Sequence, residues 1–173
     1  TLTVEGLEYA SFEQLLVGSG SEEVDLDNNH QANICEQLHV VMSGLTAEYG
    51  HVLESVTLTY GGQTTEITPE SGVYEFAMPS SNATLTITTY EVALFTYTKV
   101  TSVTPGKHYI IVTASDDNQG KYHAMGGKNA NGSYMNRVEV SIDNNTVTVA
   151  ENEGVAEILI GVTGSNYTLH TSQ

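Results

Sequence analysis

Between residues 56 and 88 the chain alternates apolar and polar side chains almost without a break, and a period of two is the signature of half-buried strands. Val56, Leu58 and Tyr60 face one way, while Ser55, Thr57 and Thr59 face the other. Gly61-Gly62 follows as a hairpin turn, because glycine accepts the positive φ that tight hairpins require. Tyr74 and Phe76, then Ala83, Leu85 and Ile87, supply two more inward rows. Pro79 has no amide hydrogen to give to a ladder, so it is expected at the corner between those strands.

The same style recurs elsewhere with lower regularity. Residues 1–37 are the least regular: a short strand is expected near Val4, and Leu7, Phe12, Leu15 and Leu16 fit one side of a short helix, although an extended reading fits nearly as well. Residues 37–42 read as a strand and residues 43–50 as a loop. Residues 91–99 read as the crossing between two modules. Beyond it, residues 109–113 form a continuous apolar run suited to a strand covered on both faces, and residues 126–136 read as a polar loop. Val138, Val140 and Ile142 alternate, Asp143-Asn-Asn turns the chain into Val147 and Val149, and a last apolar strand spans residues 155–162. Turn signals at intervals of about 8 to 12 residues, with no convincing long helix, predict an all-β protein. The expected architecture is two small β-sandwich, β-grasp-like or barrel modules in tandem, residues 1–92 and 93–173.

Composition limits the partners. The 173 residues include 21 acids against 5 Lys plus Arg, a formal charge of −16. That field repels a phosphate backbone and an anionic membrane surface, and it favours solubility, a bound cation or a basic partner. No apolar run reaches about 18 residues, so no membrane insertion is expected. Cys35 is the sole cysteine, which excludes an intramolecular disulfide and leaves a buried, hydrophobe-like thiol as the expected role.

Residues 72–87 resemble the closing signature of the Listeria–Bacteroides type repeats of bacterial surface proteins, in which a Tyr-x-Phe-x-Met-Pro-x-x-Asn stretch leads into a final alternating strand. Tyr74, Phe76, Met78, Pro79 and Asn82 carry the likeness, over about 40 residues at most, and the upstream part departs from the family. More loosely, residues 96–112 look like accessory β-modules of secreted gut-anaerobe proteins. The resemblance implies an exported or surface-attached bacterial protein, with the signature residues acting as fold determinants.

Two segments are candidate sites. Residues 25–36, counted as a twelve-residue calcium loop, place Asp25, Asp27, Asn29, Asn33 and Glu36 where oxygen ligands are wanted. His30 stands where such loops need glycine, so a solvated acidic loop competes with a Ca²⁺ site. Asp116, Asp117 and Asn118 are a second possible cation contact or an ordinary turn. The other segment, residues 121–137, gathers Lys121, Lys128 and Arg137 with Tyr122, His123, Asn129, Asn131 and Tyr134. Those aromatic faces and amides suit a glycan or peptide ligand, against the simpler reading of a long hairpin connection. The six histidines show no zinc-type spacing, and no nucleophile elbow, phosphate loop or dinucleotide fingerprint occurs. The expected role is a non-enzymatic extracellular or cell-surface module for adhesion, scaffolding, or glycan or protein binding, with self-association possible. A fibre or pilus subunit assembled by strand addition, or an accessory part of a secreted glycan- or protein-degrading enzyme, are the alternatives.

Overall fold

The computed structural model describes residues 1–18, 22–114 and 121–171. The chain is all-β. It divides into two compact units, Thr1–Glu91 and Val92–Gln173.

The first unit holds β1 (Leu2–Glu5), β2 (Ala10–Ser11), β3 (Gln14–Val17), β4 (Glu22–Glu23), β5 (Gln31–Ala32), β6 (His39–Ser43), β7 (Thr46–Ala47), β8 (His51–Tyr60), β9 (Gln63–Glu66), β10 (Tyr74–Ala77) and β11 (Ala83–Glu91). A five-stranded sheet runs β5-β1-β11-β8-β9 and a four-stranded sheet runs β10-β6-β3-β4, with β2 and β7 paired separately. Alternation places Leu2, Val4, Val56, Leu58, Leu85 and Ile87 on the inner face of the larger sheet. It places Leu15, Val17, Val40, Met42 and Phe76 on that of the smaller, and all are buried in one cluster. The registers align these rows: Val4 lies beside Leu85, Leu85 opposite Leu58, and Val17 opposite Val40. The β1–β11 pairing is parallel, so the first strand of the unit docks beside its last. Gly6 makes that docking possible. Its φ is +85°, and a Cβ there would lie 1.8 Å from the Ile87 carbonyl oxygen.

The short helix expected over residues 7–17 is absent. The extended reading is the one realised, because β3 pairs with both β4 and β6 and sends Leu15 and Val17 inward. Phe76 and Met78 are buried, and the Asn82 side chain accepts a hydrogen bond from the Thr1 amine at 3.2 Å. Cys35 departs from expectation. It is exposed, because it lies in the irregular connection between β5 and β6, where no strand gives it an inward position.

The second unit holds β12 (Leu94–Thr98), β13 (His108–Tyr109), β14 (Val112–Ala114), β15 (Tyr122–Lys128), β16 (Met135–Val140), β17 (Thr146–Ala150), β18 (Ile158–Thr163) and β19 (Asn166–Thr171). They form three small sheets, β12-β17, β13-β18-β19 and β14-β15-β16, and none closes into a barrel. Ala124, Val140, Val147 and Val149 make the buried cluster, with Tyr97, Ile110, Val112 and Tyr122 packed half-buried against it. Asn144 and Asn145, at φ of 48° and 63°, make the expected turn before β17. A 3₁₀ turn spans Glu151–Glu153, and among the described residues no helix is long and apolar enough to cross a membrane.

Three expectations are corrected here. The segment expected to cross between modules contains β12, a full strand of the second unit paired along its length with β17. The apolar run 109–113 is two strand pieces in different sheets, and Ile111 between them is 44% exposed. After the last expected strand the chain turns at Gly164 and returns as β19, whose pairing with β18 runs from Ile158–Thr171 to Thr163–Asn166.

Candidate functional site

The second unit contains a cavity of about 630 Å³. Consecutive residues 96–100 of β12 and its extension line one side, so the cavity meets the strand's edge as well as its inner face. Residues 107–110, in and around β13, line another side, followed by Val112 and Ala114 of β14. Tyr122, Ile142, Asn145 and Val147 complete the wall. Its floor is continuous with the core of the unit, since Tyr97, Ile110, Val112, Tyr122 and Val147 belong to both. β12, β13 and β14 are each the terminal strand of their sheet among the described residues. Three strands, each terminal in its sheet among the described residues, therefore contribute to one hollow whose floor is apolar.

A polar cluster fixes this arrangement. Glu157, just before β18, accepts a hydrogen bond from the Tyr97 hydroxyl at Oε1. At Oε2 it faces His108 Nδ1 at 3.0 Å. An ionised carboxylate only accepts, so the proton of that contact sits on Nδ1 and Nε2 is left as the second polar point of the ring. Burial holds the Tyr97 phenol above its ordinary range, and the hydrogen bond and negative charge of Glu157 push the same way. One carboxylate thus joins Tyr97 of β12 to His108 of β13, two strands that line the hollow.

Lys99 and Lys107 are also fixed through their backbones. The Lys99 amide donates to the Asn145 carbonyl at 2.8 Å. Lys107 follows Gly106, whose φ of +77° makes the turn, and its carbonyl accepts from the Ile160 amide at 3.1 Å. The Tyr109 hydroxyl accepts from the Thr104 amide at 2.8 Å and pins the same turn. Among the described residues neither lysine is ion-paired, although the chain has 21 acids.

The ligand residues expected from the sequence are spread along the β15–β16 hairpin. Tyr122 and His123 lie opposite Val140 and Glu139 at one end, while Lys128 lies opposite Met135 at the other. Six residues at about 3.3 Å each separate Tyr122 from Lys128 by roughly 20 Å. Asn129, Asn131 and Tyr134 lie beyond Lys128, at the turn. Asn129 Oδ1 accepts from the Ser133 and Tyr134 amides at 2.8 and 3.2 Å, so this side chain shapes the turn. Tyr134 is 66% exposed, and Arg137 lies opposite Met125 in mid-hairpin. Of the eight residues gathered from residues 121–137, Tyr122 alone lines the cavity.

In the acidic segment, Asp25 and Asp27 line a second cavity, of about 570 Å³, in the first unit; Asn29 and Glu36 do not. Asp27 Oδ1 accepts from the Asn29 and Gln31 amides at 2.8 and 2.9 Å, and His30 takes the left-handed conformation at φ 56°. Asn33 Oδ1 accepts from the Thr1 hydroxyl at 3.0 Å. The Asp27 and Asn33 oxygens accept from the chain itself, and no group of three His, Cys, Asp or Glu that could hold a metal occurs among the described residues. Asp116, Asp117 and Asn118 lie outside the described residues.

What sequence reasoning missed was the cavity between β12 and β14. A signal for it was present: two of the five cations, Lys99 and Lys107, fall within nine positions, next to Tyr97 and Tyr109. The chain matches no family model, no curated protein and no solved structure.

Proposed function

We propose that this chain is a non-enzymatic binding module that works outside the cell or on a bacterial surface, and that its second unit takes an extended segment of a partner protein. The observation that supports this most is the meeting of three terminal strands, β12, β13 and β14, at one hollow with an apolar floor. An extended peptide satisfies unpaired edge amides and carbonyls, and its alternate side chains fill the pocket. The surface location rests on the likeness of residues 74–82 to a bacterial surface-repeat signature and on the acidic charge. The test is amide hydrogen exchange of the whole chain with and without an uncharged peptide, Thr-Val-Asn-Val-Thr-Val-Asn-Val-Thr. Slowed exchange confined to β12 to β14 is expected. Unchanged exchange there at saturating peptide defeats the reading.

A second reading is favoured by one further observation. Among the described residues, ten of the fourteen exposed large hydrophobics lie in the second unit, including Tyr167 and Leu169 on the terminal strand β19. A fibre or pilus subunit assembled by strand addition would cover such residues with another copy. Sedimentation at rising concentration separates the two: growth into large species supports the fibre, and a monomer throughout supports the partner-binding module.

A further inference from the structure

Taking the cavity of the second unit as a strand-accepting site, we infer that Lys99 and Lys107 make it selective for a segment that alternates apolar residues with carboxylates. This chain has 21 acids and 5 Lys plus Arg, yet two of those cations line this one hollow, and neither pairs with a carboxylate among the described residues. Their backbones are fixed by Asn145 and Ile160, so the placement belongs to the fold rather than to two wandering side chains.

The energetics follow from what a covering strand does. Both lysines are exposed in the free chain and keep their water. A segment laid along β12 and β13 removes part of that water. With an uncharged segment the ammonium groups lose hydration and gain no counter-charge, while a basic segment adds like-charge repulsion. A segment with Asp or Glu supplies the missing partners. Successive side chains of a strand point to opposite faces, so a peptide with valine at every second position can direct its valines to Tyr97, Ile110 and Val147 and leave its acids toward the rim. Glu157 faces Tyr97 and His108, and among the described residues no ion pair joins it to either lysine. The remaining acidic surface repels such a ligand at long range, so recognition depends on the short-range contacts at the lysines.

The experiment compares three fluorescein-labelled peptides on the full chain by anisotropy. They are Thr-Val-Asp-Val-Thr-Val-Asp-Val-Thr and its twins with Asn or Lys in place of Asp. The Asp peptide is expected to bind about tenfold more tightly than the Asn twin, as two partly exposed ion pairs allow, with the Lys twin weakest. The double variant Lys99→Gln, Lys107→Gln should abolish the preference, so that the Asp and Asn peptides bind with equal affinity. Lys99→Arg with Lys107→Arg should restore the preference. Equal affinity of the Asp and Asn peptides for the unaltered chain overturns the selectivity while the strand-accepting site stands. A Gln variant that keeps the full preference also overturns it. If none of the three peptides binds, the strand-accepting site itself is wrong and the selectivity falls with it.

Discussion

The two units use the same local pattern and reach different degrees of closure. In the first, fourteen residues form one buried cluster between two sheets, and its four exposed large hydrophobics are all tyrosines, which keep a hydroxyl in water. In the second, among the described residues, seven hydrophobics are buried, four of them in one cluster, and ten large hydrophobics are exposed, eight of them Leu, Ile, Val or Phe. The difference lies in pairing. The first unit docks β1 beside β11 and so ties its ends together, whereas the second spreads eight strands over three sheets of two or three strands each. Small sheets have proportionally more edge and less face, so apolar side chains remain at the surface and strand edges remain available. A unit closed in this way suits a scaffold, and one left partly open suits a site.

The most severe test of the comparison is Gly6→Ala. The new Cβ meets the Ile87 carbonyl at 1.8 Å with φ at +85°, so β1 and β11 must separate. A loss on the order of 4 kcal/mol is expected from left-handed strain and overpacking together, read from denaturant unfolding. A cost near zero would show that the parallel docking of β1 does not close the unit.

The next test applies one substitution to both units. Val40 and Val149 are 0% and 3% exposed, so burial is matched. Val40→Ala is expected to cost about 2 kcal/mol, because its surroundings are closed on both sheets and cannot collapse. Val149→Ala should cost about 1 kcal/mol, since a thin core beside a hollow relaxes more easily. Equal losses in chemical denaturation would remove the distinction between a closed and an open unit.

An alkaline titration sharpens the account of what holds the open unit together. The ordinary tyrosine value is 10.0, and Tyr97 is raised above it by burial, then by the hydrogen bond and charge of Glu157. The unfolded chain therefore loses this proton before the folded one. The contribution of Tyr97 is fully present below about pH 10 and declines as pH rises beyond it. Stability of Tyr97→Phe should fall less steeply than that of the unaltered chain above pH 10, measured by urea midpoints at pH 8 and pH 11. Parallel slopes would mean that the Tyr97–Glu157 bond is not felt in stability.

The smallest effect is expected at the surface of the closed unit. His39 and Glu75 meet at 3.2 Å with half of each side chain exposed. Glu75→Gln should change stability by no more than about 0.5 kcal/mol at neutral pH, as exposed pairs are screened. A larger loss would show that the edge between β6 and β10 depends on this pair.

The alternation over residues 56–88 was enough to read β8, the Gly61-Gly62 turn, β9, β10 and β11 correctly, because strand period and hairpin turns are local properties. The burial of Phe76 and Met78 was legible for the same reason. Less of the site was legible. Tyr122 is the one expected ligand residue that lines the cavity, whereas Lys99 and Tyr97 stand in a segment read as a crossing, Lys107 in a turn and His108 in a strand. Asn129 drew attention as a ligand contact, although its amide serves the turn it sits in.

By itself the sequence determined that this chain is all-β, where its clearest hairpins turn, and which faces of those strands go inward. Those features follow from side-chain period and from the backbone freedom of glycine and asparagine, which act over a few residues. Only the tertiary structure decided that β1 runs parallel beside β11, that residues 109–113 divide between two sheets, and that β12, β13 and β14 end at a common hollow. Each of these is a pairing of segments far apart in the chain. A strand carries the same period whichever partner lies at its edge, so edge partners, and the cavity they leave open, are set by the fold as a whole.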